Sequence, residues 1–320
     1  MSRFRKINPE ATSEINTGFG VNSSDYGGRF LNKNGHPNVE KRGVGYFEKI
    51  SWYHVLLEMP RLKFLSIILI FYLVINLLFG FFYFLLGGDK LSGIVANSSF
   101  KEFEETFFFS CQTFTTVGYG RISPIGFVAS ALSSLEALIG LLSLAVVTGL
   151  LYGRFSKPKA FLKFSSNAVL APFNKGKAIM LRLAPFKNNT LTDAEAKVTL
   201  GLVVEEKGKL VNKFYQLPLE YNTVNSLTLS WTIVHPITEA SPFYNFKKED
   251  FQNAQGEILV FIKAFDDMFS NTVVARTSYT LNEIVIGAKF EPMYHRSDNE
   301  NKTLLHLNKL NSYTLIDLDF

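Results

Sequence analysis

Three regimes of apolar and polar patterning divide the chain. Residues 1–45 carry Gly, Asn and Ser with few apolar neighbours, as in Gly18-Phe19-Gly20, Gly27-Gly28 and Lys41-Arg42-Gly43. A segment with so little to bury predicts a mostly flexible arm, and it lacks the apolar core of a secretion signal. Over residues 45–59, Tyr46, Phe47, Ile50, Trp52, Tyr53, Leu56 and Leu57 interleave with Glu48, Lys49, His54 and Glu58. That mixture predicts an amphipathic helix lying in a membrane interface and redirected by Pro60. Residues 64–86 then run without a charge, interrupted only by Ser66, Asn76 and Gly80. About 20 apolar residues suffice to cross a bilayer, so this is a span. Residues 127–152 form a second one, with Glu136 as its only charge. Between them, residues 100–115 carry Phe103, Phe107, Phe108, Phe109 and Phe114 but are too short to cross. A half-helix re-entering from one face satisfies both facts, and its partly negative C-terminus favours a cation beyond it.

From residue 164 the period changes to two. Candidate strands lie at 178–183, 197–205, 213–217, 227–235, 257–265 and 271–279, separated by Asn, Gly, Pro and Lys turns. Six or more short alternating strands predict an antiparallel β-sandwich. The fold class is therefore an α+β membrane protein. It comprises two transmembrane helices, a re-entrant pore helix and a C-terminal sandwich, divided as residues 1–45, 46–156 and 157–320.

Charge orients the spans. Arg61 and Lys63 precede the first, whereas Arg154, Lys157, Lys159 and Lys163 follow the second. The connection at 89–105 carries Asp89, Glu102, Glu104 and Glu105 against two lysines. Basic residues favour the cytoplasmic side, which predicts a multi-pass inner-membrane protein with both termini in the cytoplasm. Basic residues beside the spans suit an anionic lipid surface better than nucleic acid, and the net charge of +5 is modest. The single cysteine, Cys111, excludes an intrachain disulfide, and the five histidines show no metal-ligand spacing. With no nucleophile motif and no GxGxxG, neither an enzyme nor a dinucleotide-binding domain is expected.

The chemistry concentrates in Thr115-Thr116-Val117-Gly118-Tyr119-Gly120, at the end of the half-helix. A potassium ion entering a pore exchanges its water shell for protein oxygens, and stacked carbonyl rings from four such loops supply them. Aligning successive carbonyls requires alternating right- and left-handed backbone, which Gly118 and Gly120 accept at little steric cost. The carbonyls of Thr116, Val117, Gly118 and Tyr119 and the Thr116 hydroxyl would hold the ion, with Thr115 and Gly120 supporting them. No cofactor is expected beyond the permeant potassium. The stretch resembles the potassium-channel signature. A membrane-anchored sandwich acting as a non-conducting scaffold is the alternative, and it leaves this loop unexplained.

Over about residues 44–295 the chain also resembles the inward-rectifier potassium channels, most closely their bacterial branch. Ser134-Leu135-Glu136-Ala137-Leu138-Ile139-Gly140 and Leu151-Tyr152-Gly153-Arg154-Phe155-Ser156-Lys157-Pro158 are similar to its inner helix and linker. Phe164-Ser165-Ser166-Asn167-Ala168-Val169 is similar to the start of its cytoplasmic domain, and His235-Pro236-Ile237, Ser241-Pro242-Phe243-Tyr244, Ser278-Tyr279 and Glu291-Pro292 to later landmarks. The resemblance implies a homotetramer whose pore continues into an immunoglobulin-like cytoplasmic vestibule. It also implies pore-lining and gating roles for Gly140, Leu144, Thr148 and Tyr152, which recur every four residues on one helix face. Gly140 is equally readable as a hinge or a close-packing residue. Arg61, Lys63, Arg154, Lys157 and Lys159 would bind anionic lipid, and Glu195, Asp266 and Asp267 would line the vestibule.

Three departures qualify the resemblance. Gln112 stands where the family usually has a pore-helix glutamate, and Arg121 follows the filter directly. The family's glutamate–arginine pair is therefore absent, which leaves Glu136 to support the filter alone. No cysteine pair flanks the pore. Leu144 occupies the position where strongly rectifying members carry an acid, so weak polyamine rectification is expected.

Overall fold

In the computed structural model, residues 8, 10–14, 18, 28–45, 51–206, 209–297 and 301–318 are described. The chain divides into two units, Arg42–Lys157 and a second made of Met1–Lys41 with Pro158–Phe320.

The first unit is helical. Helix α1 (Trp52–Glu58) stops at Met59, where Pro60 ends one helix and caps the next. It matches the C-terminal part of the expected interfacial helix, whose beginning at residues 46–50 lies outside the described residues. Helix α2 (Arg61–Leu86) has 26 residues, about 39 Å at 1.5 Å per residue, and ends at Gly87. Helix α3 (Ser99–Phe114) starts where the Ser98 hydroxyl accepts the Lys101 amide at 3.3 Å, a side-chain N-cap. Helix α4 (Gly126–Phe155) has 30 residues, about 45 Å. Both long helices exceed the roughly 30 Å of a hydrocarbon core. Strand β1 (Leu91–Ser92) pairs antiparallel with β2 (Ser123–Pro124). Phe79, Tyr83, Leu91, Phe109 and Ile122 form a buried cluster joining α2, α3 and the chain after the loop.

The second unit is two five-stranded sheets packed face to face. One contains β3 (Leu162–Phe164), β4 (Ala168–Phe173), β5 (Gly176–Pro185), β9 (Trp231–Pro236) and β12 (Ile284–Ile286), with β12 parallel to β4. The other contains β6 (Leu191–Glu206), β7 (Lys209–Gln216), β8 (Thr223–Leu227), β10 (Gly256–Asp266) and β11 (Asn271–Thr280). Leu170, Leu181, Leu200, Leu202, Ile233 and Ile258 are among the residues that fill the core.

Two sequence expectations change. The single strand expected at 227–235 is two, because the chain leaves one sheet after Leu227 and enters the other at Trp231. The expected flexible arm is also wrong for its described part. Phe30 and Leu31 are buried with Phe214 and Leu259, and their amides donate to the Glu257 carboxylate at 2.5 and 3.2 Å. Arg29 clamps the Glu283 carboxylate at 2.7 Å and Lys33 stands 3.3 Å from it. Three consecutive residues, one basic and two apolar, anchor a strap that average composition hides.

Buried in the same unit, His235 explains the His-Pro-Ile and Ser-Pro-Phe landmarks. Its Nδ1 lies 2.6 Å from the Pro218 carbonyl, and its Nε2 lies 2.8 Å from the Ser241 hydroxyl. The carbonyl accepts from Nδ1–H, and the hydroxyl donates to Nε2. Burial pushes the imidazole down to about 4. The unfolded chain binds this proton near pH 6.5, so the stabilisation is complete above that value and is lost as pH falls toward 4. Thermal denaturation of the full chain should lose about 3 kcal/mol through this residue over that window. His235→Gln should flatten the acid slope; an unchanged slope would assign the acid loss to other groups.

Candidate functional site

The loop after α3 is built by left-handed backbone. Thr116, Gly118 and Gly120 have φ of +59°, +52° and +81°, alternating with Val117 and Tyr119, which stay out of that region. The sequence anticipates the two glycines but not Thr116, since a β-branched residue there is an outlier that its surroundings must enforce. The end of α3 does so. Val117 and Gly118 donate backbone N–H groups to the Gln112 carbonyl at 3.0 and 3.4 Å, and the Thr115 hydroxyl donates to the Cys111 carbonyl at 2.7 Å. Gln112 thus supports the loop through its backbone. Residues 115–120 are exposed in one chain.

Glu136 does not act alone. It is fully buried on α4, and the Tyr83 hydroxyl of α2 donates to its Oε2 at 2.7 Å. Ser110 of α3 lies against its other oxygen and 3.1 Å from Asn76 Oδ1. At the loop's exit, Arg121 pairs with Glu105 of α3. This pair ties the loop's exit to the pore helix. Sequence reading missed Tyr83, Ser110, Asn76 and Glu105. The available signal was polar groups placed in apolar helices, which must find partners.

Gly140 is buried against the pore helix in the single chain. A Cβ there would sit 2.0 Å from the Phe114 carbonyl oxygen, so the glycine lets α4 press against the last turn of α3. The close-packing reading has this contact behind it. Leu144, Thr148 and Tyr152 remain exposed on α4, on a face that this single chain leaves uncovered.

The basic residues separate into two groups. Arg154 spends its guanidinium on α1, donating to the carbonyls of Leu56 and Met59 and lying 4.5 Å over the Phe64 ring. These are orphan C-terminal carbonyls of a short helix, so Arg154 caps α1 instead of standing free for a headgroup. Lys157 reaches Glu58 at 2.6 Å, an exposed pair. Arg61, Lys63 and Lys159 are exposed. Among the vestibule candidates, Asp266 is a correction. It is fully buried, accepting from Asn189 at 2.8 Å and from the Met268 and Phe269 amides at 2.9 and 3.2 Å, so it shapes the turn before β11. Asp267 is exposed, and Glu195 is half-buried with Lys197 3.8 Å away. No cluster of three potential metal ligands occurs among the described residues.

Two spans, a half-helix between them and a loop of alternating handedness define a membrane ion channel of the pore-loop type. Comparison with known proteins gives the particular family. An ion channel family model matches residues 67–157, and the inward rectifier potassium channel C-terminal domain matches residues 162–318. The inward rectifier potassium channel Kirbac3.1 of Paramagnetospirillum magnetotacticum is 35% identical over 83% of this chain and 89% of its own length. The human inward rectifier potassium channel 18 is 28% identical over 62% of this chain and 48% of its own. The ATP-sensitive inward rectifier potassium channel 12 of Gallus gallus is 25% identical over 86% and 69%. The chain belongs to the inward rectifier potassium channel family; it is a channel and not an enzyme.

Proposed function

We propose that four copies of this chain surround one potassium-selective pore, with residues 115–120 of each as its filter. The alternation of left-handed backbone at Thr116, Gly118 and Gly120 carries the reading, because it turns successive carbonyls toward one side. Thr116, Val117, Gly118 and Tyr119 present oxygen to the ion. The uncovered face of α4 with Leu144, Thr148 and Tyr152 lines the inner cavity, and Tyr152 is the narrowest ring, where bulky side chains close the pore by excluding water. Exposed Asp267 and the half-buried Glu195 face the cytoplasmic vestibule.

The topology is in–out–in, in the inner membrane. The strap before α1 and the sandwich after α4 share one unit, which requires an even number of crossings between them. The basic flanks favour the cytoplasmic side for both. Anionic lipid modulates the channel through Arg61, Lys63, Lys157 and Lys159. Each basic residue near a charged surface adds about 1 kcal/mol of attraction. Exposed ion pairs contribute only about 0–1 kcal/mol, so Glu58 leaves Lys157 available.

Liposome flux with potassium and sodium compared, in neutral and anionic bilayers, tests both parts. Potassium should exceed sodium strongly. Neutralising Lys157 and Lys159 together should change flux severalfold in anionic bilayers and little in neutral ones. Equal flux of the two ions would remove the filter; an equal change in both lipids would confine the lysines to setting topology.

A further inference from the structure

The protons around Glu136 carry an inference that deepens the proposed filter reading and rests on it. Asn76, Tyr83, Ser110 and Glu136 are all fully buried. The Asn76 amide nitrogen donates to the Tyr72 carbonyl at 2.7 Å. This fixes the amide's orientation, because the flipped form would set its oxygen against that carbonyl. Asn76 Oδ1 therefore points at the Ser110 hydroxyl, 3.1 Å away, and can only accept. On its other side the same hydroxyl meets Glu136 Oε1. The Tyr83 hydroxyl supplies the proton for Oε2 at 2.7 Å.

One Ser110 proton thus stands between two acceptors. With an ionised carboxylate, one of the two contacts would be oxygen against oxygen with no hydrogen between them. No ion pair joins Glu136 to a lysine, arginine or histidine among the described residues; Arg121, at the loop's exit, is paired with Glu105. A buried charge without a counter-ion is costly at membrane depth. A proton on Oε1 settles the inventory: Glu136 donates to Ser110, Ser110 donates to Asn76, and Tyr83 donates to Glu136.

We infer that Glu136 is a neutral carboxylic acid in the folded channel. It acts as a hydrogen-bond donor that fixes the pore helix through Ser110, between Tyr83 and Asn76 of the outer span. The other titratable groups at this junction are Tyr83 on α2, which donates to Glu136, and Cys111 on α3, next to Ser110, with Tyr72 of α2 bonded to it. Glu136 is thus a positioning residue: it holds the helix whose last carbonyls shape the loop, and it does not touch the ion.

Infrared difference spectroscopy of the reconstituted full chain near neutral pH tests this. The wild type minus Glu136→Gln should show a protonated-carboxyl stretch, and Ser110→Ala should shift that band without removing it. Glutamate carrying a heavy-isotope carboxyl should shift it in the wild type, which keeps the test open if a variant fails to fold. Absence of the band overturns the inference. In flux, Glu136→Ala should lose at least tenfold and Glu136→Gln should restore most of it, because an amide also donates to Ser110 and accepts from Tyr83. A glutamine no better than alanine would also overturn it. Potassium selectivity without the band sinks this inference alone, whereas the band without selective flux sinks the filter reading alone.

Discussion

Gly118→Ala should abolish potassium flux. Gly118 sits at φ +52°, and nothing lies within 4 Å of where its Cβ would be, so the penalty comes from the backbone and not from a clash. A side chain in the left-handed region costs about 1–2 kcal/mol. With four copies around one pore the strain reaches about 4–8 kcal/mol per ring. The loop will relieve it by turning a carbonyl away from the axis. A loss of at least a hundredfold is expected in liposome flux, with the assembled protein still recovered intact. Undiminished potassium flux in that variant would move the filter away from residues 115–120.

Leu144→Asp should convert shallow spermine block into steep block. Leu144 is exposed on α4, and no acid occupies the four-residue row that continues through Thr148 and Tyr152. On the proposed topology, and with Glu136 neutral as inferred, a polycation entering from the cytoplasm is expected to find no fixed negative charge inside the membrane field. On the same proposal the exposed carboxylates of the sandwich would attract it only outside that field. Each elementary charge moved through 100 mV is worth about 2.3 kcal/mol, so a blocker held deep in the pore has strongly voltage-dependent affinity. Four carboxylates in a narrow, poorly screened cavity supply that hold. Apparent affinity should steepen to about tenfold or more per 100 mV in the variant and stay below about threefold in the wild type. Current recordings over a voltage range decide it. Steep block in the wild type, or no gain in the variant, would turn Leu144 away from the cavity.

Large parts of the membrane unit were legible because a bilayer imposes a simple rule on composition. Uncharged runs long enough to cross gave α2 and α4 to within a few residues, and the short phenylalanine-rich run gave α3. The alternating strands were legible for the same kind of reason, one wet face and one dry face. Strand β4 escaped because Ala168, Val169, Leu170 and Ala171 are all buried, which removes the alternation. In the site, Gly118 and Gly120 were readable from what glycine permits. Thr116 was not, since only the folded surroundings hold it there. Pairwise facts were the least legible. That Gly140 meets Phe114, that Arg154 caps α1, and that Asp266 holds a turn each depend on which element lies opposite. A helical wheel shows a face but not its neighbour.

The strap at Arg29, Phe30 and Leu31 also sets an order of events during synthesis. Its partners Phe214, Glu257, Leu259 and Glu283 all lie beyond the pore unit in the chain. The ribosome must therefore make Arg42–Lys157, and much of the sandwich, before the strap has anything to bind. At about 5–20 residues per second, that leaves Phe30 and Leu31 exposed for on the order of ten seconds or more while two apolar helices insert nearby. A nascent chain stalled between the second span and β7 would carry a sticky, unmated N-terminus. Residues 12–14 and Phe30 can first dock on β7, through Tyr215, Gln216 and Phe214, and only synthesis past β11 to Glu283 completes the strap's contacts.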